Sequence, residues 1–405
     1  MARTRKTLPT KIDIAHLISA GVLASVCPRP LIEEVLKQTG KASQRTRLLP
    51  APAVVYYVMA LALWREAPLE EVLRVVCEGL HWLDPTQPSV QASKSAISQA
   101  RTRLGPEVMR LLAQRVLTPI AKPTTPGAWF HGLRIMAVDG SVFDVADEKA
   151  NAEFFGYHTA ARGETAFPQL RLLGLVECGT HAVAAAAVAP YHTHERTLAA
   201  SLLPQALKPG MLVLADRGFY GVELWQNACA TEAKLLWRVR SDLKLPVLER
   251  YEDGSYRSEG SIRASKTRKI PLRVVEYTLK GQEASQETYR LITNIFDQDI
   301  KAEELAELYH QRWEIESVFD EIKTHLHGAS TVLRSKTPDL VEQELWGLLL
   351  SHYAIRQLML AAAGTQELDP DRLSFTHATR VIKRRMPQAA AFSPWEAEDL
   401  EEPAS

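Results

Sequence analysis

The chain has 405 residues, which is long enough for two or three domains and at least one sizeable core. A hydrophobic content of 46% and a charged content of 24% are typical of a soluble globular protein, and the formal net charge of zero favours no class of partner. The longest apolar run, residues 54–64, is too short to span a bilayer. The composition therefore predicts a protein without membrane contact.

The four cysteines also restrict the class of protein. They are about 50 or more residues apart and form no CxxC pair, which excludes a zinc ribbon or a disulfide scaffold and predicts a cytoplasmic protein. Charge is unevenly distributed, since residues 1–50 hold nine Lys/Arg against three acids and the last dozen residues are acidic. A basic head is compatible with nucleic-acid binding, and equally with an ordinary soluble surface.

Residues 1–120 are predicted to form an all-helical N-terminal domain. Helical apolar spacing, often with proline in the first turn, covers residues 12–26, 28–39, 50–64, 68–82 and 106–117. Between them, Lys94, Gln99, Arg101 and Arg103 belong to a short amphipathic helix that resembles a helix-turn-helix recognition element. DNA binding is one interpretation of this segment, and a solvated helix in a structural bundle is the other.

After a Pro/Gly/Thr linker at 121–128, the sequence becomes α/β in character. The predicted strands and helices are a strand at 132–138, a hairpin of 170–177 with 182–188, a helix at 195–206, a strand at 211–215, a helix at 222–231 and a strand at 234–240. Residues 241–290 are polar, basic and β-rich, and we interpret them as an insertion. Further helices are predicted at 302–325, 338–362 and 370–385, before an acidic tail.

Two aspartates stand at equivalent places in this pattern. Asp139 is predicted to end the strand RIMAVD and Asp216 to end the strand MLVLAD, and a glycine follows each within two residues. In an open α/β sheet, polar residues at the carboxyl ends of buried strands line the ligand crevice. A single aspartate there is as often a helix N-cap as a catalyst.

The predicted helix at 302–325 carries a second set of polar residues. At about 100° per residue, Tyr309, Arg312, Glu316 and Lys323 fall within a stripe roughly 60° wide. Cations bind phosphate oxygens and a carboxylate binds Mg²⁺, although periodicity alone fits a solvated face with ion pairs equally well. Together with the two aspartates, Glu316 fits a two-metal site, in which the ions lie about 3.5–4 Å apart.

The motifs VDGS (Asp139), LADRGFYG (Asp216) and Y-x2-R-x3-E-x6-K (Tyr309 to Lys323), in this order, resemble the DDE transposases of the insertion-element-four family. The resemblance implies an RNase H-like catalytic core at 129–240 and 291–330, a β-rich insertion at 241–290, and C-terminal helices with a tail at 331–405. It also implies that Asp139, Asp216 and Glu316 bind metal, while Tyr309, Arg312 and Lys323 hold phosphates of the transposon end. Arg217 either holds the Asp216 carboxylate or reaches DNA.

The implied reaction is Mg²⁺-dependent cleavage at the inverted-repeat ends of the element, followed by strand transfer into target DNA, with Mn²⁺ as a substitute metal. The implied partner is double-stranded DNA, bound by a dimer in the synaptic complex. Some relatives use a tryptophan of the insertion to form a DNA hairpin, but the tryptophans here lie outside residues 241–290. The alternatives are a non-catalytic DNA-binding protein of transposase descent and a stand-alone nuclease.

Overall fold

The computed structural model of the chain describes residues 21–42, 49–79, 92–160, 163–262, 265–278, 288–328, 332–365 and 368–385. The chain divides into two compact units. The first comprises Met1–Ile120, Phe143–Leu170 and Phe319–Ser405, and the second comprises Ala121–Val142 and Arg171–Val318. The start of the first predicted helix and the acidic tail lie outside the described residues. In the part of the chain that the structure describes, no helix is long and apolar enough to cross a membrane.

The N-terminal part of the first unit is helical. Its helices are α1 (Val22–Val26), α2 (Arg29–Gln38), α3 (Ala51–Leu63), α4 (Leu69–Gly79), α5 (Lys94–Leu104) and α6 (Pro106–Val116). Proline stands at the start of α2, α3 and α6, where the missing N–H would have had no partner within the helix. These helices agree with the predicted ones to within a few residues wherever the chain is described.

Strands and helices alternate in the next part of the chain. They are β1 (Trp129–Phe130), β2 (Leu133–Asp144), α7 (Lys149–Phe155), β3 (Tyr157–Ala160), β4 (Gly163–Glu177), β5 (Ala182–Pro190), α8 (Glu195–Ala206), β6 (Met211–Ala215), α9 (Val222–Cys229) and β7 (Lys234–Val239). The predicted hairpin is present, since β5 pairs with β4. One boundary differs: β2 continues past Asp139 to Asp144, whereas the sequence predicted that it would end at Asp139.

In the second unit, β6 lies between β2 and β7 and runs parallel to both. The register places Val138 opposite Ala215 and Ala215 opposite Trp237. Every residue of β6 is buried, as expected for a parallel strand covered on both faces. The rings of Trp225 and Trp237 meet edge to face at 5.1 Å within this core, so both tryptophans have a packing role.

The β-rich segment that we interpreted as an insertion extends the same sheet. Its strands are β8 (Glu249–Arg250), β9 (Tyr256–Ile262), β10 (Ser265–Thr278) and β11 (Thr288–Thr293). They continue the sheet antiparallel from β7, in the order β11, β10, β9, β8. One basic residue of the segment is structural, because Arg273 is fully buried and donates to Asp253 at 2.6 Å and to the Asp297 carbonyl at 2.7 Å.

The predicted helix at 302–325 is present but changes its winding along its length. It consists of α10 (Ala302–Tyr309), a 3₁₀ turn (His310–Trp313), α11 (Glu314–Asp320) and a π-helical turn (Glu321–Leu326). A 3₁₀ turn is tighter and a π turn wider than an α-helix. The constant 100° per residue that predicted one straight stripe therefore does not hold between Tyr309 and Lys323.

The chain ends, as far as it is described, in α12 (Pro338–Gly364), a 3₁₀ turn (Pro370–Arg372) and α13 (Phe375–Arg385). Helix α12 is buried along most of its length and crosses α3, where Ser351 Oγ donates to the Met59 carbonyl at 2.8 Å. Residues 1–120 and 331–405, predicted as separate regions, thus belong to one compact unit. The reason is that the apolar faces of the N-terminal helices need α12 to cover them.

Candidate active site

The pairing of β2 with β6 brings Asp139 and Asp216 to the same level of the sheet. The residues before them, Val138 and Ala215, are partners in a parallel register. Strand β6 ends at Ala215 and the chain turns, with the Phe219 amide donating to the Asp216 carbonyl at 3.0 Å. The two aspartates therefore lie side by side where β6 stops, as expected for the ligand crevice of an α/β sheet.

The carboxylate of Asp139 is held from two sides. Its Oδ1 accepts a hydrogen bond from the Gly140 amide at 2.8 Å, and its Oδ2 accepts one from Arg312 Nη1 at 3.3 Å. Burial raises the pKa of Asp139 to about 6, and the nearby negative charges of Glu195 and Asp216 act in the same direction. The Gly140 amide and Arg312 oppose this rise only in part. A site that so disfavours negative charge is one in which a bound cation would be stabilising.

Asp216 is the carboxylate whose hydrogen bonding is incomplete. Its Oδ1 is buried and has no hydrogen-bond partner among the residues that the structure describes. A buried carboxylate oxygen without a partner is costly, because it has lost its water and gained nothing in return. Such an oxygen fits a ligand to a hard cation, which prefers carboxylate oxygens.

Arg312 connects Asp139 to the third predicted ligand. Its Nη2 donates to Glu316 Oε1 at 3.2 Å, one helical turn further along, while its Nη1 reaches Asp139. Burial acts to lower the pKa of Arg312, but Tyr309, Asp139 and Asp216 outweigh it and the pKa is raised. The Glu316 side chain is 45% exposed, so its carboxylate is accessible to a ligand from solvent.

Tyr309 has a different position from the one predicted. Its side chain is buried, and its hydroxyl donates to the Ala215 carbonyl at 3.3 Å, directly before Asp216. Burial and the Asp216 charge raise the pKa of its phenol, which stays neutral. The hydroxyl therefore supports the end of β6 in this structure. This position corrects the predicted phosphate contact, because a buried hydroxyl that is bonded to the backbone is not presented to DNA.

Two other residues, Arg217 and Lys323, were predicted to contact phosphate or DNA. Arg217 is exposed in the turn after Asp216, and both of its roles stay predictions. Lys323 belongs to the first unit, where its Nζ lies 5.7 Å from the centre of the Phe143 ring, at cation–π distance. The structure thus brings Arg312 together with Asp139, Asp216 and Glu316 within the second unit.

The predicted DNA-binding helix is α5, and its three basic residues differ in exposure. Lys94 and Arg103 are exposed, whereas Arg101 is buried. The guanidinium of Arg101 donates to three acceptors of the first unit: Gln343 Oε1 at 2.8 Å, the Leu340 carbonyl at 2.9 Å and Ser335 Oγ at 3.1 Å. This corrects the predicted DNA contact of Arg101, because a guanidinium enclosed by protein acceptors is not presented to DNA.

The outward face of α5 is polar and uncharged apart from its ends. Residues of this face line a shallow surface cavity, namely Ser95, Ser98, Gln99, Thr102 and Arg103. Short polar side chains allow close approach to a nucleic acid, and Gln and Arg are side chains that pair with base edges. The sequence placed Gln99 on this helix together with Lys94, Arg101 and Arg103, but it did not indicate the cavity.

Glu195 and Arg171 were also missed. The sequence placed Glu195 at the start of a helix, and a carboxylate in the first helical turn is ordinary. In the structure its carboxylate lies against Gly140, the residue after Asp139. No local pattern predicts this contact, because residues 140 and 195 belong to a strand and a helix that are distant in the sequence.

Comparison with known families agrees with the motifs. Residues 130–353 match the model of the transposase DDE domain, and residues 17–114 match that of the insertion element 4 transposase N-terminal region. The chain therefore belongs to the insertion element 4 family of DDE transposases, as its motifs predicted. Members of this class are enzymes that cleave and rejoin phosphodiesters, bind DNA and use divalent metal.

Named relatives support the assignment. The chain is 29% identical over 386 residues to the transposase InsG of insertion sequence element IS4 from Escherichia coli K12, covering 91% of this chain and 84% of InsG. InsZ of the same organism is 29% identical over 211 residues, or 51% of this chain and 66% of InsZ. A piggyBac transposase in a synaptic complex with hairpin DNA aligns with 98% of this chain and 83% of its own, with a TM-score of 0.49 and 10% identity. Likeness at that level carries no conclusion about this chain.

Proposed function

We propose that this transposase cleaves DNA at the inverted-repeat ends of its insertion sequence and transfers the freed 3′-OH ends to target DNA. We also propose that residues 129–240 and 291–330 form an RNase H-like core. The observation that carries the proposal is the parallel pairing that sets Asp139 beside Asp216, with Arg312 bridging from Asp139 to Glu316. Three carboxylates gathered in this way suit phosphodiester chemistry with divalent cations.

The donor set fits a hard divalent cation, for which we propose Mg²⁺, with Mn²⁺ able to replace it. Asp139, Asp216 and Glu316 would hold the metal, and the buried Oδ1 of Asp216 would then gain the partner that it lacks among the described residues. When bound, the metal would supply Lewis-acid stabilisation of the phosphate and activation of water. The accessible carboxylate of Glu316 leaves a route for ligands from solvent.

The neighbouring residues orient these carboxylates. The Gly140 amide fixes one oxygen of Asp139, and the Tyr309 hydroxyl fixes the Ala215 carbonyl directly before Asp216. Arg312 keeps the site from accumulating uncompensated negative charge, and its guanidinium is the group we propose for contact with the scissile phosphate. Lys323 is proposed as a second phosphate contact, as the family signature predicts.

Other parts of the bound DNA are proposed to contact the exposed polar and basic face of α5, including Lys94 and Arg103, and the exposed Arg217. Such contacts combine phosphate binding by the cations with base reading by the polar side chains. Because transposition joins two element ends, we propose that two copies of the chain assemble in the synaptic complex.

Substitution of Glu316 tests the proposed chemistry. Purified full-length chain with Mg²⁺ is expected to nick duplexes that carry the element ends and to join them to target DNA. Glu316→Gln is expected to lower both rates by about a thousandfold or more, because a metal ligand is lost while the shape is kept. Glu303→Gln, which alters an exposed glutamate in the first turn of α10, serves as the control.

The outcomes separate the candidate functions. Equal activity in Glu316→Gln and wild type would contradict the carboxylate assignment. Nicking without joining would indicate a stand-alone nuclease. Specific DNA binding without either reaction in the wild type would indicate a DNA-binding protein of transposase descent.

A further inference from the structure

Glu195, the first residue of α8, lies directly on Gly140. A Cβ atom built on Gly140 would stand 2.5 Å from Glu195 Oε1 and 2.6 Å from its Cδ, distances at which something must move. Gly140 does not have a positive φ, so the backbone conformation does not require glycine there. A larger residue at this position would displace the Glu195 carboxylate.

Arg171 holds the Glu195 carboxylate in this place. Its Nη1 donates to Glu195 Oε1 at 2.5 Å, and its Nε donates to the Tyr191 carbonyl at 3.3 Å. The guanidinium also lies 4.7 Å from the centre of the Tyr191 ring. Oε2 of Glu195 has no hydrogen-bond partner among the described residues, and the side chain is 35% exposed. One oxygen is therefore fixed, and the other is available to water or a ligand.

The contact with Gly140 connects Glu195 to the proposed metal site. The amide of Gly140 donates to Asp139 Oδ1 at 2.8 Å, so Glu195 lies against the residue that orients Asp139. The position of Glu195 thus relates it to this ligand.

We propose that Glu195 is a positioning residue of the divalent-metal site, a fourth carboxylate outside the three direct ligands. The inference rests on the proposed function. Mg²⁺ usually keeps several of its waters in proteins, and carboxylates beyond the ligands accept hydrogen bonds from that shell and orient the ligands themselves. The Glu195 carboxylate lies against Gly140, and its Oε2 offers such an acceptor, while Arg171 holds the other oxygen.

The test measures metal binding directly on the full chain, by electron paramagnetic resonance of added Mn²⁺. Glu195→Gln is expected to weaken Mn²⁺ binding about tenfold or more, with an unchanged melting temperature and with nicking recovered at higher Mg²⁺. Glu303→Gln removes the same charge from the first turn of α10 and is expected to bind Mn²⁺ like wild type. Unaltered Mn²⁺ affinity in Glu195→Gln would overturn the inference.

Two further variants keep the interpretation unambiguous. Glu195→Asp retains the charge but shortens the side chain, and we expect it to bind Mn²⁺ better than Glu195→Gln. A merely structural role predicts the reverse order, because the aspartate loses the contact with Arg171. Asp216→Asn tests the proposed function itself, because wild-type Mn²⁺ binding in this variant would show that the three proposed ligands are wrong. If Asp216→Asn loses Mn²⁺ binding while Glu195→Gln binds like wild type, only the role of Glu195 is refuted.

Discussion

Arg312 contacts two of the three carboxylates of the site. Its two terminal nitrogens lie 3.3 Å from Asp139 Oδ2 and 3.2 Å from Glu316 Oε1. Gathering carboxylates in a partly buried site is unfavourable, and a guanidinium offsets this because it stays charged when buried. Its Nε is buried and has no partner in the described part of the chain. The same group can therefore stabilise the site without metal.

The raised pKa of Asp139 predicts that its carboxylate lowers the stability of the folded chain at neutral pH. Its pKa is about 6 in the folded chain against 3.8 for an ordinary aspartate, so ionisation is harder in the folded state. The resulting loss of stability is absent below about pH 4 and complete above about pH 6. With metal chelated, Asp139→Asn should thus be more stable than wild type at pH 7.5 by roughly 1–3 kcal/mol.

Urea unfolding at several pH values measures this difference, which should vanish as the pH falls toward 4. Asp299→Asn, at an exposed position of the same unit, should change stability by no more than about 0.5 kcal/mol. A wild type that is as stable as Asp139→Asn at pH 7.5 would show that burial does not disfavour this carboxylate.

The packing of helix α12 against α3 depends on a close backbone contact at one glycine. Helix α12 crosses α3 at Gly347, where an added Cβ would lie 2.7 Å from the Val58 carbonyl oxygen and 2.8 Å from Val58 Cγ1. A helix interior ordinarily disfavours glycine by about 1 kcal/mol relative to alanine. Glycine is retained at this crossing because only it allows the two helix backbones to come so close.

Alanine substitutions in α12 should therefore have opposite effects at its two glycines. Gly347→Ala is expected to destabilise the chain by about 1–3 kcal/mol, because the Cβ meets backbone that cannot move aside. Gly364→Ala, at the end of the same helix with nothing within 4 Å, should be neutral or stabilise by up to about 1 kcal/mol. Thermal unfolding of both variants provides the comparison, and a rise in melting temperature for Gly347→Ala would contradict the crossing.

At the scale of the whole molecule, residues far apart in the chain complete each compact unit. Arg101 on α5 is held by Ser335, Leu340 and Gln343, more than 200 positions later. Gln343 makes a second hydrogen bond with this residue, because its side-chain amide donates to the Arg101 carbonyl at 3.1 Å. Burial lowers the pKa of Arg101, and the negative charge of Glu344 opposes that effect. The arginine closest to the centre of the predicted DNA-binding helix is thus a link within the core of the first unit.

Two substitutions on α5 separate folding from DNA binding. Arg101→Met should destabilise the chain by about 2–4 kcal/mol, because buried acceptors lose their donor. Arg103→Met, at an exposed position two residues later, should leave stability unchanged and weaken binding of an inverted-repeat duplex by about five- to tenfold at low salt. Urea unfolding and fluorescence anisotropy measure the two effects. An unaltered unfolding midpoint in Arg101→Met would contradict the structural role of Arg101 and favour the predicted contact with DNA.

The amino-acid sequence alone determined the family, most element positions and the presence of an aspartate directly after each of two buried apolar segments, because motif spacing and periodicity are local properties. Only the tertiary structure decided that Tyr309 supports β6, that Arg101 is enclosed by α12 and the segment before it, and that β8–β11 extend the main sheet. It also set Glu195 on Gly140, 55 positions apart in the chain. Contacts of this kind depend on how separate elements pack, and no periodicity in the chain encodes them.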